Sequence, residues 1–325
     1  MDRATGITSR ARTLGKRLVL RANHALGNYR DAVWLIGDGR SGTTWVSDLI
    51  NHNRGYREMF EPFHPQLAQG AGTFTPHLYV RGGEMNDELR NLARTILSGR
   101  LCDQRVDVAN KAFFYRGLLV KDIFANLMCH AVCRELDWVK PVLLIRNPFA
   151  VAQSKARKKD WYWASEPMDL LKQPALYEDF LAPYEDLIRR TSARSDLLLN
   201  HILIWAIINT VPLRQFAPQD IHVSFYESIY AEPNREVSRL FGFLQGQPDY
   251  RVELDQALIN RPSRVVRNET SLASGSSPVT SWKDDIEPRL IDEGLSILEQ
   301  FGLASLYDED GMPDKRVLAG LQSPA

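Results

Sequence analysis

Cysteine is scarce in this chain: Cys102, Cys129 and Cys133 are the only three in 325 residues. Three cannot all pair within one chain, and none stands in CxxC spacing, which argues against both a disulfide framework and a zinc site. Cys129 and Cys133 lie one helical turn apart and are expected as core packing in a reducing cytoplasm. Net charge is also missing, with 40 Lys+Arg against 40 Asp+Glu, so no nucleic-acid partner is expected. No apolar run reaches bilayer length. The longest, LLLNHILIWAIINTV at 197–211, is interrupted by Asn200, His201 and Asn209 and reads as a helix buried on most sides rather than a membrane span. No internal repeat is present, and the N-terminus has neither an apolar h-region nor a cleavage pattern, so a secretory peptide is not expected.

What is present is ordinary globular material, 44% hydrophobic and 25% charged. The first thirty residues are basic, with Arg3, Arg10, Arg12, Lys16, Arg17, Arg21 and Arg30 against the single acid Asp2. Two readings stand: a solvated arm capping the domain, or a weakly amphipathic helix over Leu14, Leu18, Leu20, Ala22 and Ala25 that makes peripheral contact with an anionic membrane. The expected organisation is a basic arm at 1–31, one α/β domain at 32–304 and a C-terminal tail at 305–325. The sequence sets no oligomeric state.

Short apolar, β-branched runs alternate with helical patterns, the signature of a three-layer α/β fold with a mostly parallel central sheet flanked by helices. Strands are expected at 32–37 (AVWLIG), 117–122 (GLLVKD), 141–147 (PVLLIRN) and 221–226 (IHVSFY). Each precedes a helical pattern. Residues 51–110 and 160–196 read as less regular acceptor-binding loops, and the Ser- and Arg-rich 260–283 as a mobile loop over the site.

The stretch VWLIGDGRSGTTW at 33–45 begins as a buried strand and then turns to glycine, arginine and hydroxyl residues. Gly37 and Gly42 match the glycines of the phosphate-binding G-x-x-x-x-G-K-[ST] turn. Thr43, however, stands where that motif has its lysine, and the cation has moved to Arg40. A helix N-terminus with open N–H groups still attracts an anion, but not a triphosphate gripped by lysine and magnesium. The strand VLLIR ends in Arg146, where a magnesium-holding aspartate is expected of an NTPase. A second bare phosphate suits that strand end better.

With these motifs in hand, the chain resembles the sulfotransferases that use 3'-phosphoadenosine 5'-phosphosulfate (PAPS). GDGRSGTTW is similar to the family's 5'-phosphosulfate loop. LIRNPFAVAQS is similar to its 3'-phosphate site, with Arg146 and Ser154 as the phosphate ligands. FYESIYAEPNREVSRLFGFL resembles its later Tyr-Glu strand and following helix. The resemblance implies a P-loop-NTPase-like architecture, PAPS as cosubstrate, PAP (adenosine 3',5'-bisphosphate) as product, and no required metal. Arg40 is implied at the oxygen bridging phosphorus and sulfur. Ser41, Gly42, Thr43 and Thr44 are implied around the 5'-phosphate, and Trp45 on the adenine, with core packing as the rival reading of Trp45. Arg264, Arg267, Trp282 and Lys283 are implied at the 3'-phosphate or adenine.

The acceptor proton needs a base within hydrogen-bond reach. Cytosolic members carry a histidine two residues after a lysine on a strand similar to LLVKDI; here that place is Ile123. Carbohydrate-type members carry a glutamate in a segment similar to MFEPFHP, which points to Glu61, with His64 in reserve and a structural carboxylate as the competing reading. Lys121 keeps the family's lysine position, as a cation for the transferring sulfonate or as a structural residue. The Glu61 reading tilts the acceptor toward a hydroxyl on a sugar, glycolipid or glycosylated metabolite. Trp161, Tyr162 and Trp163 stand as sugar-stacking candidates or as core. The competing functions are a degenerate P-loop kinase or NTPase and a nucleotide-binding module without chemistry.

Overall fold

The computed structural model describes residues 15–16, 18–67, 74–110, 114–158, 161, 164–261 and 277–322. Strand β1 (Ala32–Gly37) has all six residues buried, as a parallel strand covered on both faces requires. The chain then runs through α1 (Thr43–Ile50), β2 (Tyr56–Phe60), α2 (Asp87–Leu97), β3 (Gly117–Asp122), α3 (Cys129–Glu135), β4 (Val139–Ile145) and α4 (Pro148–Ala156). Helices α5 (Glu185–Ala193) and α6 (Leu197–Gln215), strand β5 (His222–Phe225), α7 (Tyr226–Ala231), α8 (Pro233–Gln245), α9 (Pro288–Gln300) and α10 (Lys315–Leu321) follow, with short helical segments between them. The five strands lie in the order β2-β3-β1-β4-β5 and every pairing is parallel.

Alternation along the strands sorts the core into two layers. From β1, Trp34 and Ile36 join Leu118, Val120, Leu143 and Ile145 on the face covered by α4, α6 and α9, with Phe149, Ile202, Trp205 and Ile297. Val33 and Leu35 face the other way, with Leu119, Val142 and Leu144, under Val46 and Leu49 of α1 and Val237, Leu240 and Phe241 of α8. The fold is therefore the expected three-layer α/β arrangement.

Two regions expected as irregular carry regular structure, while the apolar run and the cysteines stand as expected. Region 51–110 contains β2 and α2, and 160–196 contains α5 with short helical segments at Met168–Leu171 and Pro174–Leu176. Strand β2, YREMF, hides two charges in the core. Arg57 donates to Asp107 Oδ1 at 2.9 Å and to the carbonyls of Gly99 and Leu101, while Glu58 accepts from Ser47 at 2.9 Å. Helix α6 extends past the apolar run to nineteen residues, enough by length and composition to cross a bilayer, yet 89% of its most apolar stretch is buried inside the protein. Cys129 and Cys133 are unpaired, with their sulfurs 3.9 Å apart.

The ends of the described chain pack on this body. Residues 18–25 are helical; Leu20 enters the core and Asn23 accepts from the Tyr115 N–H at 3.1 Å, while Leu18 and Leu26 are exposed. Leu306 is fully buried, and Lys315 of α10 pairs with Glu236 of α8 at 3.2 Å, so residues 305–322 lie against the domain. Most of the mobile loop expected at 260–283, with Arg264 and Arg267, falls outside the described residues, as do Tyr162 and Trp163.

Candidate functional site

In a parallel sheet the C-terminal strand ends carry the ligand site, and here four of them converge. The turn after β1 holds Arg40, the residue after β2 is Glu61, Lys121 is the fifth residue of β3, and Arg146 follows β4. All four line one cavity of about 620 Å³, together with Gly42, Thr43, Thr44, Trp45 and Ser154.

Gly42, the N-cap of helix α1, sits at φ 87° and supplies no side-chain cap, so the first N–H groups of the helix are left open toward an anion. A Cβ at Gly42 would stand 2.6 Å from the Tyr226 ring. Gly42→Ala is therefore expected to cost at least about 1–2 kcal/mol from the left-handed backbone alone, read as a lowered urea midpoint, with more from displacing Tyr226. Arg40 is itself left-handed, at φ 72°, a conformation that costs energy and tends to occur at functional turns. Its Nε donates to Ser154 Oγ at 2.9 Å. The Ser41 hydroxyl is buried and has no hydrogen-bond partner among the described residues.

Arg146 is held from several sides. Asn147, next in the chain, caps α4 by accepting from the N–H groups of Phe149 and Ala150, with Pro148 at the first helical position. The Asn147 N–H donates to Glu227 Oε1 at 2.8 Å. Burial raises the Glu227 carboxyl to about 7, opposed by that N–H and by Arg146. The Arg146 carbonyl accepts from Trp205 Nε1 at 3.0 Å. Its guanidinium lies 4.4 Å over the Tyr226 ring and donates to the carbonyls of Arg40 (3.0 Å) and Pro278 (2.9 Å). The Nε is buried and has no hydrogen-bond partner among the described residues. A buried donor left over in this way suits an anionic ligand.

Glu61 also sits in the left-handed region, at φ 46°. Its turn is pinned from β3: the Glu61 N–H donates to the Lys121 carbonyl at 2.7 Å, and Asp122 accepts from Phe63 N–H at 2.9 Å and Phe124 N–H at 2.8 Å. Burial lifts the Asp122 carboxyl to about 7 against those two bonds. The Glu61 carboxylate forms an ion pair with the Lys121 ammonium, which also lies 4.3 Å over the Phe60 ring.

The remaining sequence candidates divide. Trp45 lines the cavity but is only 8% exposed; it meets Tyr226 edge-on and donates to the Ile259 carbonyl at 3.1 Å. His64 does not line the cavity. It packs edge-on against Phe124, its Nδ1 accepts from the Gln66 N–H at 3.2 Å, and burial, reinforced by Arg105, lowers its pKa. Trp282 stacks on Phe149 in the core, and Lys283 reaches the Glu309 carbonyl; neither lines the cavity. Trp161 and Lys158 do, as do Tyr226, Tyr230, Asn234 and Gln256, which the sequence reading did not assign. The FYES segment was the available signal for Tyr226. Among the described residues no group of three or more His, Cys, Asp or Glu is arranged to hold a metal ion.

Among solved structures, the chain is similar to the sulfotransferase domain from the curacin biosynthetic pathway at 16% identity, covering 83% of this chain and 96% of that one, with a TM-score of 0.42. It is similar to a sulfotransferase from Alicyclobacillus acidocaldarius at 16% identity, covering 84% and 92%, with a TM-score of 0.42. A mouse sulfotransferase complexed with PAP is similar at 13% identity, covering 90% and 88%, with a TM-score of 0.40. No curated protein matches the chain. The family described as the sulfotransferase domain matches residues 30–259, from just before β1, through both arginine-bearing turns, to the cavity wall at Ile259; the chain belongs to that family and is a sulfotransferase.

Proposed function

We propose that the enzyme moves a sulfuryl group from PAPS to a hydroxyl on a sugar, glycolipid or glycosylated metabolite, with Glu61 as general base. The observation that carries this reading is the convergence of Arg40, Arg146, Ser154, Lys121 and Glu61 on one cavity at the C-terminal edge of the sheet. Its volume of about 620 Å³ lies within the range typical of small-ligand sites. The open N–H groups of α1 and the Ser41 hydroxyl receive the 5'-phosphate, and Arg146 with Ser154 the 3'-phosphate. Trp45 and Tyr226 form the aromatic wall for adenine.

In the transfer, the acceptor oxygen bonds to sulfur as the bond from sulfur to the bridging oxygen breaks. The acceptor proton passes to a Glu61 carboxylate oxygen, and the electron pair leaves on the 5'-phosphate of PAP. Arg40 stabilises the charge that grows on the bridging oxygen, and Lys121 neutralises the sulfonate oxygens. Ile123 lines the cavity at the position where the cytosolic pattern has its histidine, which supports Glu61 as the base and, with it, the sugar-type acceptor. Trp161, also on the cavity wall, offers a face for a sugar ring.

The donor reading is tested by unfolding. PAP at a hundredfold excess over Kd is expected to add about 2.7 kcal/mol of stability, with no metal in the buffer. Mg-ATP is expected to add nothing comparable. The opposite ranking would favour a P-loop kinase or NTPase. A mass-spectrometric screen of candidate glycans and glycolipids with PAPS, read as an 80-dalton gain, identifies the acceptor.

A further inference from the structure

Three consecutive residues of the phosphate turn are gripped by three residues near the end of α4. Asp38 forms an ion pair with Lys155 at 2.6 Å, both side chains being only 2% exposed. Gly39 lies under Trp161, so close that a Cβ there would stand 2.3 Å from the indole. Arg40 donates to Ser154 at 2.9 Å. The Lys155 ammonium also lies 5.6 Å from the Trp161 ring centroid. Turn residues 38, 39 and 40 thus meet 155, 161 and 154.

The Asp38–Lys155 pair is the unexpected member. Neither residue lies in a motif position that touches phosphate, and Lys155 does not line the cavity. Removing two charges from water is expensive, and an apolar pair of similar volume usually holds a core together as well or better, so stability alone gives no reason for an ion pair here. What an ion pair adds is a fixed distance and direction between two backbones. Lys155 adjoins Ser154 on α4, and Asp38 stands two residues before Arg40, whose left-handed turn no side-chain preference would choose.

We infer that the buried Asp38–Lys155 ion pair is a positioning element of the donor site: it ties the phosphate turn to α4 so that Arg40 holds its left-handed turn and its guanidinium stays at Ser154. Lys155 and Asp38 act through Arg40 and touch no substrate. The inference rests on the donor reading for the role of Arg40, but the placement of Arg40 can be tested without any donor.

The experiment compares wild type with Asp38→Leu, Lys155→Met and the Asp38→Leu/Lys155→Met double variant. Each single variant leaves one buried charge unpaired and is expected to lower the unfolding midpoint; the double variant is expected to recover most of that loss. Turnover is expected to behave differently. In the double variant kcat stays down by about 10- to 100-fold, as for a small misplacement of a catalytic group, with a smaller rise in KM for PAPS. A crystal structure of the double variant is expected to show Arg40 detached from Ser154. Recovery of both stability and kcat would reduce the pair to a structural contact. A structure in which Arg40 keeps its turn and its bond to Ser154 would overturn the inference whatever the enzyme binds, whereas wild type without affinity for PAP would overturn the donor reading instead. If the apolar double variant does not fold, Asp38→Asn, which keeps the shape and one hydrogen bond to Lys155, carries the same structural and kinetic comparison. There, wild-type kcat with Arg40 in place counts against the inference, and lowered kcat with Arg40 displaced counts for it.

Discussion

Replacing Arg40 with methionine is expected to lower kcat for sulfuryl transfer by about 10²- to 10³-fold, the usual effect of deleting one preorganised donor from a charge-developing site. Methionine retains most of the side-chain length and faces the same backbone cost at φ 72°, so the turn is not relieved of strain by the change. What disappears is the cation. In the ground state the bridging oxygen of the donor carries little charge, and it gains most of its charge as the bond to sulfur breaks. A guanidinium aimed at that oxygen therefore binds the transition state better than the substrate. PAP affinity is expected to fall much less, because the proposed donor site assigns the grip on the two phosphates to Arg146, Ser154 and the open helix N-terminus. Calorimetric Kd values for PAP beside single-turnover rates with PAPS separate the two effects. Equal losses in affinity and rate would make Arg40 a binding residue only. The conservative Arg40→Lys variant is expected to recover the rate partially. Its ammonium retains the charge but not the planar fork that reaches Ser154 while leaving further N–H donors for the ligand.

The parts of this site that the sequence disclosed are those where one element does one thing. Strands β1 and β3 were read at their observed bounds because parallel strands buried on both faces are nearly unbroken apolar runs. The two arginine turns were legible because each follows such a run and opens a helix. Strand β2 was not read, since Arg57 and Glu58 break its apolar pattern and their partners, Asp107 and Ser47, are remote from the strand or on another element. Helix α2, by contrast, carries a full local signal within the region expected as irregular. Asn86 caps it, Asp87 and Glu88 occupy its first turn, and Leu89, Ala93, Ile96 and Leu97 fall on one buried face. The grip of α4 on the phosphate turn had no local signal at all: Asp38 and Lys155 are 117 positions apart, and a lysine in the run KARKK reads as solvated until the fold buries it. Trp282 shows the converse case: the resemblance implied it at the 3'-phosphate or adenine, whereas in the structure it stacks on Phe149 in the core.

Glu61→Gln is expected to lower the transfer rate by about 10²-fold or more, the range of general-base catalysis, with donor affinity retained. Glutamine keeps the size of the side chain, tolerates the left-handed turn as glutamate does, and can still accept from the Lys121 ammonium. It cannot take the acceptor proton. The competing reading, a carboxylate that only fixes the Glu-Pro turn, predicts another pattern: the N–H bonds to Asp122 and the Lys121 carbonyl hold that turn through the backbone, so the rate would barely change. One complication needs control, because the Lys121 side chain is 3% exposed and loses its countercharge in the variant. Removing one partner of a buried pair destabilises a fold by about 3–5 kcal/mol in severe cases, so turnover must be measured well below the unfolding midpoint and normalised to folded enzyme. His64→Gln supplies the comparison. That imidazole lies off the cavity wall with its Nδ1 engaged by the Gln66 N–H, and its loss is expected to leave the transfer rate within about threefold, the size of an effect far below that of a true base. A rate that survives Glu61→Gln and collapses in His64→Gln would exchange the two roles. Survival in both would move proton removal to solvent and take away the argument for a sugar-type acceptor, since that argument enters through the glutamate.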